Sequence, residues 1–282
     1  MSILELPAPP ADYRLPYGPD ALHFGDLRLP VGPGPHPVAI AIHGGFWRAR
    51  YDLEHLGHLC AALTGEGIAT WSVEYRRIGN AGGGWPNTFL DVARAADALR
   101  DLAASHPLDL SRVIAFGHSA GGHLALWLAA RHRIPPGDPL HTPDPLPLHG
   151  VLSLAGVADL RRAWELNLSS GAAKELLGGS PTDYPQRYAT ASPIELLPLG
   201  VRQHLVHGAE DDIVPPEISQ RYHDIARASG DDVTLTALPH TGHFEPIDPH
   251  SPAWPFVLAA AQALLSAPDS ASPRSAQQSA RS

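Results

Sequence analysis

The chain has 282 residues, of which 44% are hydrophobic and 17% are charged, a profile that excludes both a disordered chain and a membrane protein. Its formal net charge is −9 and its Lys/Arg clusters are no longer than "YRR" or "LRR", which argues against nucleic acid and anionic membranes as partners. The lone Cys60 excludes an intramolecular disulfide, and "MSILELPAPPADYRLPYG" does not resemble a secretory signal, so we expect a cytoplasmic protein.

Short apolar runs alternate with amphipathic segments along the chain, a pattern typical of a mostly parallel sheet with helices on both faces. The sequence therefore predicts an α/β fold, built as a single domain over residues 1–266. One or two antiparallel strands are predicted within Ala21–Pro30. Six further strands are predicted where an apolar run closes at Gly, Pro or a polar turn: Pro37–Gly45, Ile68–Arg76, Arg112–Gly117, Gly150–Gly156, Gln203–Gly208 and Asp232–Pro239.

Helices are predicted between these strands, where apolar residues recur at helical spacing. The clearest is "PNTFLDVARAADALRDL", which starts with a proline suited to a first helical turn. The predicted helices are Leu53–Thr64, Asn87–Ser105, Ala120–His132, Pro216–Ser229 and Pro252–Ser266.

Three segments fall outside this alternation. "RIPPGDPLHTPDPLPLHG" is too rich in proline for a helix or a central strand, and it is predicted to be a surface loop. Residues 159–200 are predicted to form a small, cap-like helical insertion that helps to build the substrate pocket. The low-complexity end "APDSASPRSAQQSARS", residues 267–282, is predicted to be a disordered tail.

The stretch "GHSAG", Gly117–Gly121, matches G-x-S-x-G and lies between a predicted strand and a predicted helix. A serine on so tight a turn has a strained backbone, and side chains two residues away on either side would collide, which accounts for the glycines. The first amides of the following helix point towards the space where an oxyanion would form. Ser119 is thus a candidate nucleophile and the Ala120 amide a candidate donor, the alternative being that Ser119 only caps a packed helix.

The loop "HGGFW" follows the strand that ends near Ile42. Glycine lets the backbone approach a substrate closely, so the amides of Gly44 and Gly45 are further candidates for an oxyanion hole. The alternative is an ordinary glycine turn. Phe46 and Trp47 are candidate pocket residues, although aromatic side chains more often serve packing.

An acidic loop and a histidine loop follow the next strands. "HGAEDDIVP" lies at the carboxyl end of a predicted strand, where ligand sites of open sheets gather, and Asp211 is preferred there over Asp212 and Glu210 as the acid that orients a histidine. In "LPHTGHFEP" and the residues after it, His243 is preferred over His240 and His250 as the general base, which completes the order Ser, acid, His. The other histidines, including His43, His118 and His123, are predicted to support or pack the site. No spacing resembles a metal motif, so neither a metal nor a cofactor is expected.

These motifs, in this order, resemble those of the α/β-hydrolase superfamily over Val38 to Ala263. "HGGFW" with "GHSAGGHLA" is similar to the branch that contains kynurenine formamidase (arylformamidase) and esterases or lipases. "GGSPTDYPQRYATASPIELLPLGVRQHLVHGAEDDIVP" resembles the prolyl-oligopeptidase-like esterases. The resemblance implies a catalytic triad of Ser119, Asp211 and His243. It implies an oxyanion hole formed by Gly44, Gly45 and Ala120. It also implies that the segment Glu74, Tyr75 and Arg76 braces the site from below.

The sequence accordingly predicts a serine hydrolase that cleaves a small-molecule substrate, a small ester or aryl amide, through an acyl-enzyme. Two alternatives stay open. One is an arylformamidase acting on N-formylkynurenine, and the other is a non-catalytic ligand-binding protein with the same fold. The oligomeric state is also left open.

Overall fold

An eight-stranded sheet organises residues 3–266, the part of the chain that the computed structural model describes. The strands run across the sheet in the order β1-β2-β4-β3-β5-β6-β7-β8. β2 pairs antiparallel with β1 and β4, and every other pair of neighbours is parallel. The strands are Tyr13–Pro16, Phe24–Arg28, His36–Ile42, Ala69–Val73, Leu108–His118, Gly150–Leu154, Arg202–Gly208 and Val233–Leu238. The predicted α/β architecture is confirmed.

All six predicted parallel strands are present, with their ends shifted by a few residues. The largest shift is in β5, which begins at Leu108 because His36 and Pro37 pair with its first residues before a register shift. The segment Ala21–Pro30 contains one antiparallel strand, β2, and its partner β1 lies earlier in the chain. The predicted tail, 267–282, lies outside the described residues.

Nine α-helices connect or cover these strands within the described residues. They are, from α1 to α9, Gly57–Gly65, Asn87–Asp97, Leu99–Leu102, Ala120–Ala130, Leu160–Glu165, Ala172–Leu177, Pro185–Ala191, Glu217–Ala228 and Trp254–Leu265. The prediction of one helix over Asn87–Ser105 is wrong in detail, since the segment forms α2 and α3, separated at Ala98. The predicted helix from Leu53 starts as a short 3-10 helix, which the Asp52 carboxylate caps, before α1 begins. The proline-rich loop, from Ile134 to His149, has neither helix nor strand, as predicted.

Two apolar cores cover the two faces of the sheet. Val38, Ile40 and Ile42 of β3 face the core formed with α2, α4 and α8. The alternate residues, Ala39 and Ala41, face the core formed with α1 and α9. Because both faces of β3 are covered, its sequence is a continuous apolar run rather than an alternating one. α4 lies so deep that each of its residues is buried, which explains why it is apolar on all sides.

The predicted insertion, residues 159–200, contains α5, α6 and α7 and lies between β6 and β7 in the chain. Two buried side chains attach it to α4. Nε2–H of His123 donates to the Ala191 carbonyl at 2.9 Å, and Nε1–H of Trp127 donates to the Thr190 carbonyl at 3.0 Å. The insertion is therefore fixed to the helix that starts after Ser119. Among residues 3–266, no helix has both the length and the apolar character that a membrane crossing requires.

The turn after β5 packs directly against the end of β3. A β-carbon added to Gly121 would lie 1.9 Å from the Ile42 carbonyl oxygen, and one added to Gly117 would lie 2.2 Å from the Gly121 oxygen. Distances this short leave no room for any side chain. Glycine at both positions is therefore a requirement of the contact between the turn and β3.

We expect Gly121→Ala to lower the free energy of unfolding by about 3 kcal/mol or more, because backbone atoms rather than flexible side chains must move. Gly65→Ala in α1 is the matched control, since the added carbon would have no atom within 4 Å. That variant should be unchanged or more stable by about 0.5–1 kcal/mol. Urea unfolding of the two variants and the wild type measures the difference, and equal stability of the two variants would contradict this account of the turn.

Candidate active site

Ser119 has the strained backbone that its motif predicts, with φ 58° and ψ −120°. Positive φ is costly for a residue with a β-carbon, so surrounding contacts must hold it there. Its amide donates to the Leu154 carbonyl at the end of β6 at 2.8 Å, and its carbonyl accepts from the His123 amide at 3.1 Å. The end of β6 and the first turn of α4 therefore keep the serine in place.

Ser119 opens into a mainly apolar cavity of about 110 Å³. The walls come from the loop after β3, the serine turn and the loops after β7 and β8: Gly45, Phe46, Tyr51, His55, His118, Ser119, Ile213, His243 and Phe244. No residue of 159–200 is among them. The prediction that the insertion helps to build the pocket is therefore wrong for this cavity, whose walls come from other segments.

His243 and Asp211 form a buried pair beside this cavity. Nδ1–H of His243 donates to Oδ2 of Asp211 at 2.6 Å, and the two side chains are 3% and 0% exposed. Oδ1 of Asp211 accepts from the amides of Ile213 and Val214, both at 2.9 Å. Burial alone would raise the pKa of Asp211, but its hydrogen bonds from His207 and His243 outweigh burial and lower the pKa below its ordinary value. Asp211 is therefore an ionised carboxylate that fixes the tautomer of His243.

The alternatives to these two residues lie at the surface. Asp212 is exposed, and Glu210 pairs with His240 in an exposed contact at 2.9 Å. His250 is also exposed and contacts Asp248. The structure thus brings the preferred acid and histidine together, whereas it places their rivals away from the cavity.

Ser119 and His243 both line the cavity, but no hydrogen bond joins their side chains within residues 3–266. Within residues 3–266 the Ser119 hydroxyl has no hydrogen-bond partner. Since Nδ1 of His243 is committed to Asp211, Nε2 is the nitrogen left to exchange a proton with a group in the cavity.

The loop after β3 brings free amides to the same place. Gly45 has φ 109° and Phe46 has φ 49°, conformations that turn the backbone sharply above the strand. Gly44 packs against the serine turn, where an added β-carbon would lie 3.2 Å from Cβ of Ser119. Within the described residues, no protein acceptor takes the N–H of Gly45, Phe46 or Ala120. Such unpaired amides are the donors that an oxyanion hole needs.

A buried ion cluster holds this loop from below. Glu74 contacts Nε2 of His43 at 3.2 Å, and Nδ1 of His43 donates to the Gly44 carbonyl at 2.9 Å. The Tyr75 hydroxyl donates to the His43 carbonyl at 2.8 Å. Burial would raise the pKa of Glu74, but its contacts with His43 and Arg77 lower it, so the carboxylate stays ionised. Glu74 and Tyr75 therefore brace the residue that precedes Gly44.

Two sequence predictions need correction here. Arg76 does not brace the site, since it points away from Glu74 and pairs with Asp91 at 2.6 Å, while Arg77 contacts Glu74 at 3.0 Å. Trp47 is not a cavity residue, because it is 1% exposed and its Nε1–H donates to Nδ1 of His123 in the core at 3.1 Å. Phe46, by contrast, does line the cavity.

His207 is a neighbour of Asp211 that no sequence motif identifies. Its Nε2–H faces both Oδ2 of Asp211, at 3.1 Å, and the Val214 carbonyl, at 2.9 Å, while Nδ1 contacts the Ser219 hydroxyl at 2.7 Å. The available signal is its place at the end of the predicted strand "QHLVHG", four residues before Asp211. His207 thus contacts the same carboxylate oxygen of Asp211 as His243 does.

A larger groove, of about 630 Å³, lies between the insertion and α8. Its guanidinium groups are all paired with carboxylates: Arg161 with Glu195, Arg162 with Glu217, and Arg221 with Asp159. The groove shares no residue with the Ser119 cavity, so it is not part of the candidate active site. Within residues 3–266, no three His, Cys, Asp or Glu side chains gather in a way that could hold a metal ion.

The mostly parallel sheet and the strained serine between β5 and α4 define an α/β-hydrolase fold. The BD-FAE family profile matches residues 26–225, and the chain belongs to that family. A search of curated proteins found no match.

Solved structures share this fold at low sequence identity. A truncated carbohydrate esterase from gut microbiota is 22% identical, with a TM-score of 0.78 over 91% of this chain and 96% of that one. A thermophilic esterase from Thermogutta terrifontis with butyrate bound is 20% identical, with a TM-score of 0.73 over 91% and 94%. An acetyl ester-xyloside bifunctional hydrolase from Caldicellulosiruptor lactoaceticus is 23% identical, with a TM-score of 0.67 over 83% and 88%.

Buried neutral histidines predict that acid destabilises the fold. Burial, aided by nearby imidazoles, lowers the pKa of His55 to about 3, and burial lowers that of His123 to about 4. Below about pH 6.5 the unfolded chain binds protons at these residues whereas the folded protein does not. Each histidine therefore lowers the free energy of unfolding by about 1.4 kcal/mol for each pH unit below that value.

The free energy of unfolding should therefore fall between about pH 7 and about pH 5, as urea unfolding at several pH values would measure. His123→Asn should make this dependence shallower, whereas the exposed control His250→Asn should leave it unchanged. A free energy of unfolding that stays constant over this range would contradict the assignment of neutral, buried imidazoles.

Proposed function

We propose that this protein is a serine ester hydrolase that uses Ser119, His243 and Asp211 as its catalytic triad. One observation carries the proposal: a strained serine opens into the same small cavity as a histidine whose Nδ1 is held by a buried, ionised carboxylate. The similar solved structures include esterases, which supports the same reaction class. A protein that only bound a ligand would gain nothing from this strained, complete arrangement.

The proposed reaction follows from the positions of these groups. Ser119 Oγ attacks the ester carbonyl carbon, and its proton passes to Nε2 of His243 while Asp211 stabilises the resulting imidazolium. The amides of Gly45 and Ala120 donate to the oxyanion, with the Phe46 amide beside them, and Gly44 gives the loop its close approach to the serine. Collapse of the tetrahedral intermediate expels the alcohol, which leaves with the proton from His243. Water then attacks the acyl-enzyme by the same steps and releases the acid.

The size of the cavity supports a short acyl group. The cavity, of about 110 Å³, is small and its walls are mainly apolar, which suits a short acyl chain better than a long one. Acetyl to butyryl groups fit this volume, with their carbons against Phe46, Ile213 and Phe244. We therefore propose small esters of short acids as the substrate class.

The arylformamidase alternative has less support. The similar solved structures are esterases or ester hydrolases, whereas the resemblance to kynurenine formamidase stays a resemblance of two motifs. A formyl group would also fit the small cavity, so the cavity volume does not separate the two activities. Direct comparison of N-formylkynurenine with short esters does.

We expect Ser119→Ala to lower kcat on p-nitrophenyl acetate by about 10⁴-fold or more, because the nucleophile is gone. Its melting temperature should be unchanged or higher. Alanine keeps the β-carbon of serine, and the hydroxyl that is removed makes no hydrogen bond within residues 3–266. His240→Ala, which removes an exposed histidine outside the cavity, is the control and should retain full activity. Turnover by Ser119→Ala close to that of the wild type would overturn the proposal.

The same assay tests the substrate class. We expect kcat/KM on p-nitrophenyl esters to fall at least about tenfold between butyrate and octanoate, since longer chains exceed the cavity. Phe46→Ala should weaken that discrimination by enlarging the cavity. Faster hydrolysis of N-formylkynurenine than of every ester in the panel would identify a formamidase instead.

A further inference from the structure

His118, the residue before Ser119, is fully buried and makes a contact that the proposed triad does not use. Its Nε2–H donates to the backbone carbonyl of His243 at 2.7 Å, and the two ring centroids are 4.5 Å apart. Because a carbonyl only accepts, Nε2 of His118 must carry the proton. The residue bonded to the nucleophile is thus hydrogen-bonded to the main chain of the general base.

His55 contacts the second ring nitrogen of His118, Nδ1. It lies in the 3-10 helix Leu53–Leu56, a few residues after the loop that carries Gly45. Its Nε2 is 2.9 Å from Nδ1 of His118, and the two rings stack with centroids 5.1 Å apart and planes 27° apart. Since neutral His118 has its proton on Nε2, its Nδ1 accepts, and His55 must donate from Nε2. The protons of both rings are therefore fixed by geometry.

The main chain of His243 depends on this contact. Within residues 3–266, neither the amide nor the carbonyl of His243 makes any other hydrogen bond. A buried carbonyl without a partner is costly, so loss of the His118 donor would favour a shift of the loop that carries His243. Such a shift would change the distance between Nε2 of His243 and Oγ of Ser119.

We propose that His118, supported by His55, is a positioning residue that sets the distance between the general base and the nucleophile. The inference rests on the proposed function, in which His243 exchanges a proton with Ser119. The two residues, here called the histidine strut, join three parts of the site: the segment after the oxyanion loop, the serine turn and the histidine loop.

The neutral state of the histidine strut is compatible with the charge that forms on His243 during the proposed reaction. Burial, together with the nearby imidazoles of His243 and His55, lowers the pKa of His118 well below its ordinary value. The strut is therefore neutral at neutral pH. A cation 4.5 Å from the ring of His243 would repel the imidazolium that forms during the reaction, whereas a neutral ring does not.

Two variants of His118 separate positioning from packing. The amide nitrogen of glutamine lies near the position of a histidine Nε2, so His118→Gln keeps a donor for the His243 carbonyl. The shorter His118→Asn places its amide near Nδ1 and loses that donor. Both substitutions remove the ring, so loss of packing alone would affect the two variants alike.

We expect His118→Asn to lower kcat on p-nitrophenyl acetate by about 100-fold with KM within about twofold, because a misplacement of about 1 Å costs this much. His118→Gln should stay within about fivefold of the wild type for the same reason. Equal kcat values for the two variants, whether both high or both low, would overturn the proposal. Melting temperatures of both are measured alongside, and a variant that does not fold is replaced by the corresponding change at His55, His55→Gln against His55→Asn.

A second measurement does not require turnover. Nitrogen-15 NMR of histidine-labelled wild type at about pH 7.5 should show His118 and His55 as neutral Nε2–H tautomers. A cationic His118, or one with its proton on Nδ1, would overturn the strut whatever the activity. Failure of the proposed function is distinct from this result, because it would appear as a wild type that hydrolyses no ester while the tautomers remain as stated.

Discussion

The contact between the end of β3 and the turn after β5 determines the rest of the site. Gly117 and Gly121 let the turn pack onto the Ile42 carbonyl, and this close packing holds Ser119 at a positive φ. The same contact brings the loop after β3, with its free amides, next to the serine. The proposed nucleophile and the proposed oxyanion donors thus depend on one backbone packing constraint, while the local strain is offset by the buried sheet around it.

The residues near Ser119 include one ionised carboxylate, that of Asp211, and the neutral histidines His55 and His118. Asp211 is ionised because four groups donate to its oxygens: the imidazoles of His207 and His243 and the amides of Ile213 and Val214. The Ser219 hydroxyl in turn contacts Nδ1 of His207. His55 and His118 are neutral because burial disfavours their cations. His243, the proposed general base, therefore contacts the ionised Asp211 through Nδ1 and lies against the neutral ring of His118, which favours proton uptake from Ser119 in the proposed reaction.

The parts of the site that could be predicted from sequence are those with a local cause. The glycines at 117 and 121 follow from the turn itself, and Asp211 and His243 follow from loops at the ends of parallel strands. His118 and His55 could not be assigned in this way, because their contacts join residues 63 and 125 positions apart in the chain. Trp47 was ambiguous for a similar reason, since only packing against His123 of α4 decides that it is a core residue. The position of the insertion could not be predicted for the same reason, since His123 and Trp127 of α4 attach it through hydrogen bonds between residues 68 and 63 positions apart.

The most direct test of the central claim is reaction of the intact protein with a fluorophosphonate probe, followed by mass spectrometry of the peptides. A phosphonylated serine is the product expected of an activated nucleophile beside a general base. We expect a single adduct, on Ser119, that forms far more slowly in His243→Ala. An adduct on another residue, or none in a protein that is correctly folded, would contradict it.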